Sequence, residues 1–210
     1  MPATTASLAH RDIALVVPYH LSTKLLIKRK DKTMKGMVFT EFLDMVETKF
    51  SAAMVDDIIE DSQVASGGAY TAVGTYDHQE MVQLVVSLSK HSAMPVTDLM
   101  LVFGQHLLGR FCAMYPDFFG DIRSSLDFLE GIESYIHTEV RKLYPDAELP
   151  RFECTRSADG LRMVYRSPRH FGDLAEGLIR GAVAHFGDHL DMTRLNQADG
   201  SVRFDLTMQS

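Results

Sequence analysis

The run Tyr165-Arg166-Ser167-Pro168-Arg169 sets two hydroxyls and a guanidinium at every second position. Alternate side chains of an extended strand share a face, so these three would converge, and their donors suit a carboxylate or a phosphate. Pro168 cannot donate to a sheet ladder and holds Ser167 extended, which places the trio at a strand end and not inside a continuing sheet. A surface strand followed by a turn would use the same residues, so the run alone leaves both readings open. Two further residues stand out upstream, His137 within a long helical pattern and Pro150 thirteen residues after it. On a helix a lone histidine commonly bonds a carbonyl, but neutral imidazole is also an iron ligand.

The elements that must position these residues follow from hydrophobic periodicity. Val38, Phe42, Met45 and Val46 recur at helical spacing over Lys35 to Phe50. A short helix covers Ala52 to Glu60, and Ser66-Gly67-Gly68 reads as a loop. Met81, Leu84, Val85 and Leu88 give an amphipathic helix from Asp77 to His91, with Asp77 as N-cap. Pro95 suits the first turn of a helix reaching about Met114, closed by Tyr115-Pro116. From Ser125 to Leu143 a single helix is predicted, its stripe formed by Leu126, Leu129, Ile132, Ile136, Val140 and Leu143, with His137 at the stripe's edge beside Leu126 and Val140. Pro145 and Pro150 mark its end. The period then switches to two. Phe152, Cys154, an Asp159-Gly160 turn, Leu161, Met163 and Tyr165 read as a hairpin. A helix from about Gly172 to Phe186 follows. A second hairpin turns at Ala198-Asp199-Gly200 and alternates through Val202, Phe204, Leu206 and Met208. The order predicts an α+β fold, a mainly helical N-terminal part followed by a four-stranded antiparallel sheet with a packed helix.

Composition limits the function classes. The chain has 210 residues, 46% of them hydrophobic, enough for one domain or two small lobes sharing a core. A net charge of −7 argues against unspecific nucleic-acid binding. No apolar run approaches a membrane span of about 20 residues, so no membrane is expected. The two cysteines, Cys112 and Cys154, make no disulfide framework, which points to a reducing, cytoplasmic compartment. The first 33 residues carry six basic side chains against two acidic ones, a local +4 that leaves −11 for the rest. They read as an N-terminal extension, disordered or preceding the native start, and the domain is expected to span 34–210. Nucleophile-elbow, P-loop, dinucleotide and metalloprotease motifs are missing. His185 and His189 lie one helical turn apart, but no third ligand is evident and they read as a C-terminal turn that favours the helix dipole.

Together, a helix histidine, Pro150 and the Tyr-x-Ser-x-Arg run suit a buried tetrapyrrole with propionates. Imidazole would take the iron, and the trio would answer the carboxylates. In these residues the chain resembles the heme nitric oxide/oxygen binding (H-NOX) domain family, related to the heme domain of soluble guanylate cyclase. The likeness runs from Met34-Lys35-Gly36 through Tyr76-Asp77-His78-Gln79-Glu80-Met81, Phe103-Gly104-Gln105, Ile136-His137-Thr138-Glu139-Val140, Leu143-Tyr144 and Tyr165-Arg166-Ser167-Pro168-Arg169. It continues into Ala175-Glu176-Gly177-Leu178 and Gly181-Ala182.

The resemblance implies heme b buried between the lobes, His137 as proximal iron ligand, Tyr165, Ser167 and Arg169 on the propionates, and Pro150 pressing on the macrocycle. Family members that hold O₂ carry a distal tyrosine at the position of Leu174. The partner positions of that polar network are Phe42 and Leu107 here, with Val38, Phe111 and Leu178 completing an apolar pocket. A charge-assisted hydrogen bond in such a site is worth about 1–3 kcal/mol, so O₂ should be disfavoured while NO and CO lose little. The implied function is an NO sensor that regulates a separate sensor histidine kinase or cyclic-di-GMP enzyme by loss of the iron–histidine bond, without catalysis of its own. The acidic body could steer toward a basic patch on that partner. Some relatives carry a Cys/His zinc cluster near the C-terminal sheet; Asp191 to Ser210 has neither residue type, so no structural zinc is expected. A heme enzyme, peroxidase-like or NO-consuming, would need a distal acid–base residue that these positions lack. A heme-free module binding an apolar carboxylate is the other alternative.

Overall fold

The structure, a computed structural model, describes residues 32–209. The expected extension lies outside the described residues except for Lys32 and Thr33. Two short strands open the fold, β1 (Thr33–Lys35) and β2 (Thr75–Asp77), paired antiparallel with Thr33 opposite Asp77. Neither is legible in the sequence, because three residues are too few to display alternation. The Lys32 carbonyl accepts from both the backbone N–H and Nδ1 of His78, at 2.8 and 2.6 Å. That fastens the chain entry to the helix following β2.

Four helices then build the first lobe: α1 (Gly36–Lys49), α2 (Ala52–Ser62), α3 (His78–Ser92) and α4 (Val96–Met114). The expected cap at Asp77 is present, its carboxylate accepting from Gln79 N–H at 2.9 Å. Ser51 caps α2 in the same manner.

The segment expected as one helix from Ser125 to Leu143 is interrupted. An α-helical turn, α5 (Ser125–Glu130), passes through Gly131 into a π-helical stretch, Ile132–Ile136, before α6 (His137–Leu143). The His137 N–H reaches back to the Ile132 carbonyl, five residues earlier. A π turn carries more residues per turn than an α turn, so the 100° spacing used to place His137 on the stripe does not hold across it. His137 is buried, beyond the edge position that uniform α geometry predicts.

The second lobe is a sheet of β3 (Arg151–Ser157), β4 (Gly160–Arg166), β5 (Leu190–Asn196) and β6 (Val202–Met208), with α7 (Gly172–Phe186) between the hairpins. Strand order is β3-β4-β6-β5, antiparallel throughout. The expected α+β architecture is the observed one. Gly160 differs in role from expectation. It begins β4, opposite Ser157, and a Cβ there would lie 1.9 Å from the Leu206 carbonyl, so close approach of β6 requires it.

Two hydrophobic cores result. One lies among α1 to α4 around Phe39, Phe42, Met81, Leu84 and Phe103. The other packs the inner sheet face, Leu161, Met163, Phe204 and Leu206, against Leu126, Leu129 and Ile179. Helix α7 contributes to both, Leu174 to the first and Ala175, Ile179 and Ala182 to the second. Its crossing with α4 is a backbone contact. A Cβ on Gly177 would stand 2.2 Å from the Leu101 carbonyl oxygen, and one on Gly104 would stand 2.4 Å from that of Leu174. No helix among the described residues is long and apolar enough to cross a membrane.

Substitution G177A should therefore force the helices apart and cost roughly 1–3 kcal/mol. The exposed α4 position Gly109, where a Cβ meets nothing within 4 Å, provides the contrast. Chemical denaturation should find G177A destabilised and G109A neutral or stabilised by up to about 1 kcal/mol; equal behaviour of the two would refute the crossing's role.

Candidate functional site

A cavity of about 240 Å³ lies where elements of both lobes meet. Val38 of α1, Leu107 and Phe111 of α4, and Leu174 and Leu178 of α7 line it together with His137 and Pro150. The glycine crossing brings the α4 and α7 contributors together. Ile132, Ile136 and Val140 line it from the π stretch and α6, so this part of the expected apolar stripe faces the cavity.

His137 contributes an imidazole to this mostly apolar lining, on which Tyr115, Tyr144, Tyr165 and Arg169 also stand. Its Nδ1 donates to the Glu133 carboxylate at 3.1 Å, because a carboxylate only accepts. That assignment leaves Nε2 as the lone-pair nitrogen, without a protein partner among the described residues. Burial pushes the His137 pKa below 6.5, while the Glu133 charge and hydrogen bond oppose the shift. A neutral imidazole with Nε2 as its lone-pair nitrogen, on the lining of an apolar cavity, is the donor that heme iron takes.

The Tyr-x-Ser-x-Arg residues are held by different means from those expected. Tyr165 is the last inward residue of β4, opposite Phe152 and Val202, and lines the cavity. The strand ends at Arg166, and a turn at Pro168 and Arg169 follows. Ser167 Oγ accepts from the Arg169 N–H at 3.3 Å, and His170 takes a left-handed conformation at φ 56°. Arg169 thus returns to the cavity by the turn and its own length. Its guanidinium donates to the carbonyls of Thr33 at 3.0 Å and Glu148 at 2.6 Å, joining β1 to the loop before β3. Ser167 lines an adjoining, more open recess with Glu148, Arg151 and Arg169, not the cavity that His137 lines. The Tyr165 pKa is raised by burial, with Ser167, Arg169 and the Phe171 backbone pulling the other way.

Phe42 is fully buried but does not line the cavity; it packs edge-on against Phe103 at 5.2 Å between ring centres, behind the wall. His185 meets Phe119 and Phe186 edge to face. Asp188, between His185 and His189, accepts from the N–H and hydroxyl of Ser125, each at 2.6 Å. These neighbours support the structural reading of that pair. Sequence reasoning passed over Glu133, although its i, i+4 spacing to His137 was a usable signal. It also passed over Lys35, whose ammonium reaches Asp146 at 2.9 Å and Thr75 at 3.0 Å and ties the loop after α6 to the first lobe.

An apolar cavity with one neutral imidazole and a hydroxyl and guanidinium at its edge defines a cofactor pocket suited to heme. His137 would hold the iron, and Tyr165 and Arg169, with Ser167 beside them, would meet the propionates. The haem-NO-binding family model matches residues 35–194. The H-NOX protein of K. algicida in its unliganded Fe(II) form is 38% identical, with a TM-score of 0.79 over 84% of this chain and 97% of that one. The H-NOX of Shewanella woodyi in the Fe(II)CO state is 39% identical over 84% of this chain and 95% of that one, TM-score 0.73. The S. oneidensis H-NOX in the Fe(II)NO state, at 24% identity, TM-score 0.78, and 84% and 100% coverage, shares the fold. A search of curated proteins found no match. The chain belongs to the haem-NO-binding (H-NOX) family of heme-based gas sensors.

Burial also lowers the pKa of His106 on α4, against the attraction of Glu41. For both histidines the folded state disfavours the proton, so the unfolded chain binds more protons as pH falls below 6.5. The stability they contribute is complete above that value and is lost as pH falls through the folded pKa. Urea unfolding of the heme-free protein should show a midpoint that is steady at neutral pH and falls toward about pH 5. H106Q should reduce that slope; an unchanged slope would contradict the assignment for His106.

Proposed function

We propose that this chain is a heme-based NO sensor that excludes O₂. The observation that carries the reading is the wall formed by Val38, Leu107, Phe111, Leu174 and Leu178, which offers no hydrogen-bond donor to a gas. Bound O₂ carries partial negative charge and depends on such a donor, whereas NO and CO do not. Two hydroxyls elsewhere on the lining, Tyr115 and Tyr144, are engaged with each other, and both approach Met37 Sδ, at 4.0 and 3.5 Å. The Fe(II)CO state of the 39%-identical S. woodyi protein supports CO as a further ligand.

Heme b, with His137 on the iron and Tyr165, Ser167 and Arg169 on the propionates, would supply a ferrous site able to bind NO. This chain's residues do the rest. His137 would tie α6 to the cofactor, and the π stretch before it is the irregular turn about which that helix would shift once released. Pro150 lines the same cavity and would press on the macrocycle. Tyr165, Ser167 and Arg169 hold the propionates whatever the gas. A cytoplasmic sensor histidine kinase or cyclic-di-GMP enzyme reads the shift of α6; the sensor itself performs no catalysis, needs no structural zinc and binds neither membrane nor nucleic acid. Of the basic stretch 1–33, Lys32 and Thr33 supply the carbonyls used by His78 and Arg169, so the dispensable part of the extension is 1–31.

The reduced protein should show no stable oxygenated spectrum in air. L174Y, which places a phenol on that wall, should raise O₂ affinity about tenfold to a hundredfold, the worth of one such hydrogen bond. A stable oxygenated spectrum of the unaltered protein would overturn the proposal.

A further inference from the structure

The Glu133 carboxylate lies behind His137 and does two things with one oxygen. Glu133 Oε1 accepts from His137 Nδ1 at 3.1 Å and from the Phe152 backbone N–H at 2.8 Å. Phe152 is the second residue of β3, the edge strand, and its N–H has no ladder partner on that side. Its ring lies 6.1 Å from the His137 ring and 5.4 Å from that of Tyr165, centre to centre. Glu133 itself stands on the π stretch, four residues before His137. One carboxylate therefore joins the histidine to the strand that begins directly after Pro150.

We propose that Glu133 is a positioning residue for the axial histidine, setting the strength of the iron–histidine bond and linking its release to strand β3. The inference rests on His137 being the iron ligand. A carboxylate accepting from Nδ1–H fixes the tautomer, holds the ring against rotation and raises the electron density at Nε2. A stronger Nε2 donor resists displacement when a gas binds on the other side. The same oxygen anchors the start of β3, so His137 cannot leave its position without straining or breaking a bond to the sheet lobe. The bond that responds to the gas and the strand that would feel the response thus share one acceptor.

E133Q and E133A separate these roles. A glutamine carbonyl still accepts from Phe152 N–H but lacks the charge that polarises the imidazole, while alanine removes both contacts. Resonance Raman spectra of the ferrous full-length holoprotein should place the iron–histidine stretch at lower frequency in E133Q, and lower again in E133A. Conversion of the NO complex from six- to five-coordinate should accelerate about tenfold in E133A, in line with the loss of an outer-shell partner. Thermal unfolding of E133Q should match the unaltered protein, so that the spectral shift is not a symptom of misfolding. An iron–histidine stretch in E133Q that coincides with the unaltered protein's would overturn the role of Glu133 and leave His137 as ligand. Absence of that stretch from the unaltered ferrous protein would overturn the ligand assignment and this inference with it.

Discussion

The backbone contact between α4 and α7 is the constraint on which the rest depends. Gly104 and Gly177 let two helices approach as no pair with Cβ atoms could, and α7 thereby serves two cores at once. A single merged core would close-pack and leave no room for a cofactor. Two cores sharing one helix leave an apolar space where they meet, and the α4 and α7 side chains around the crossing become its wall. The cavity-lining residues Leu107, Leu174 and Leu178 thus stand beside a backbone-to-backbone helix contact.

Opposed demands are met by different parts of the cavity. Holding a cofactor requires fixed groups, and Tyr165 and Arg169 are fixed, one by the end of β4 and the other by carbonyls of β1 and the loop before β3. Sensing requires a group with two available states, and His137 sits where the π stretch gives way to regular α-helix. Between them runs the segment from α6 to β3, tied back to the first lobe by Lys35 and Asp146. A shift of α6 would therefore act on a loop that is anchored at both ends.

Much of this was legible in the sequence, for reasons that also explain the exceptions. Long amphipathic segments such as α3, with its Asp77 cap, declare themselves because period and cap agree. The alternation after Pro150 declared the hairpins. The π stretch did not, since apolar spacing over Ser125 to Leu143 fits an unbroken helix, and only the register of carbonyls reveals the extra residue in the turn. Ser167 and Arg169 were assigned to one face by strand logic, but the strand stops at Arg166, and after the turn Arg169 lines both the cavity and the adjoining recess whereas Ser167 lines the recess alone. Phe42 carries core-facing helical spacing, and only the family resemblance places it in the pocket; it packs on Phe103 one layer behind the cavity wall. Periodicity gives the face a residue occupies and says nothing of the depth at which it stops.

The central claim is that gas binding is converted into release of His137 from iron. Absorption spectra of the ferrous protein before and after NO, compared with H137A reconstituted with imidazole, measure this most directly. The account predicts a five-coordinate ferrous heme that becomes a five-coordinate nitrosyl with NO, and a mutant that recovers the starting spectrum only when imidazole is supplied. A ferrous spectrum in H137A without imidazole that is indistinguishable from the unaltered protein's, or a nitrosyl complex that stays wholly six-coordinate, would contradict it.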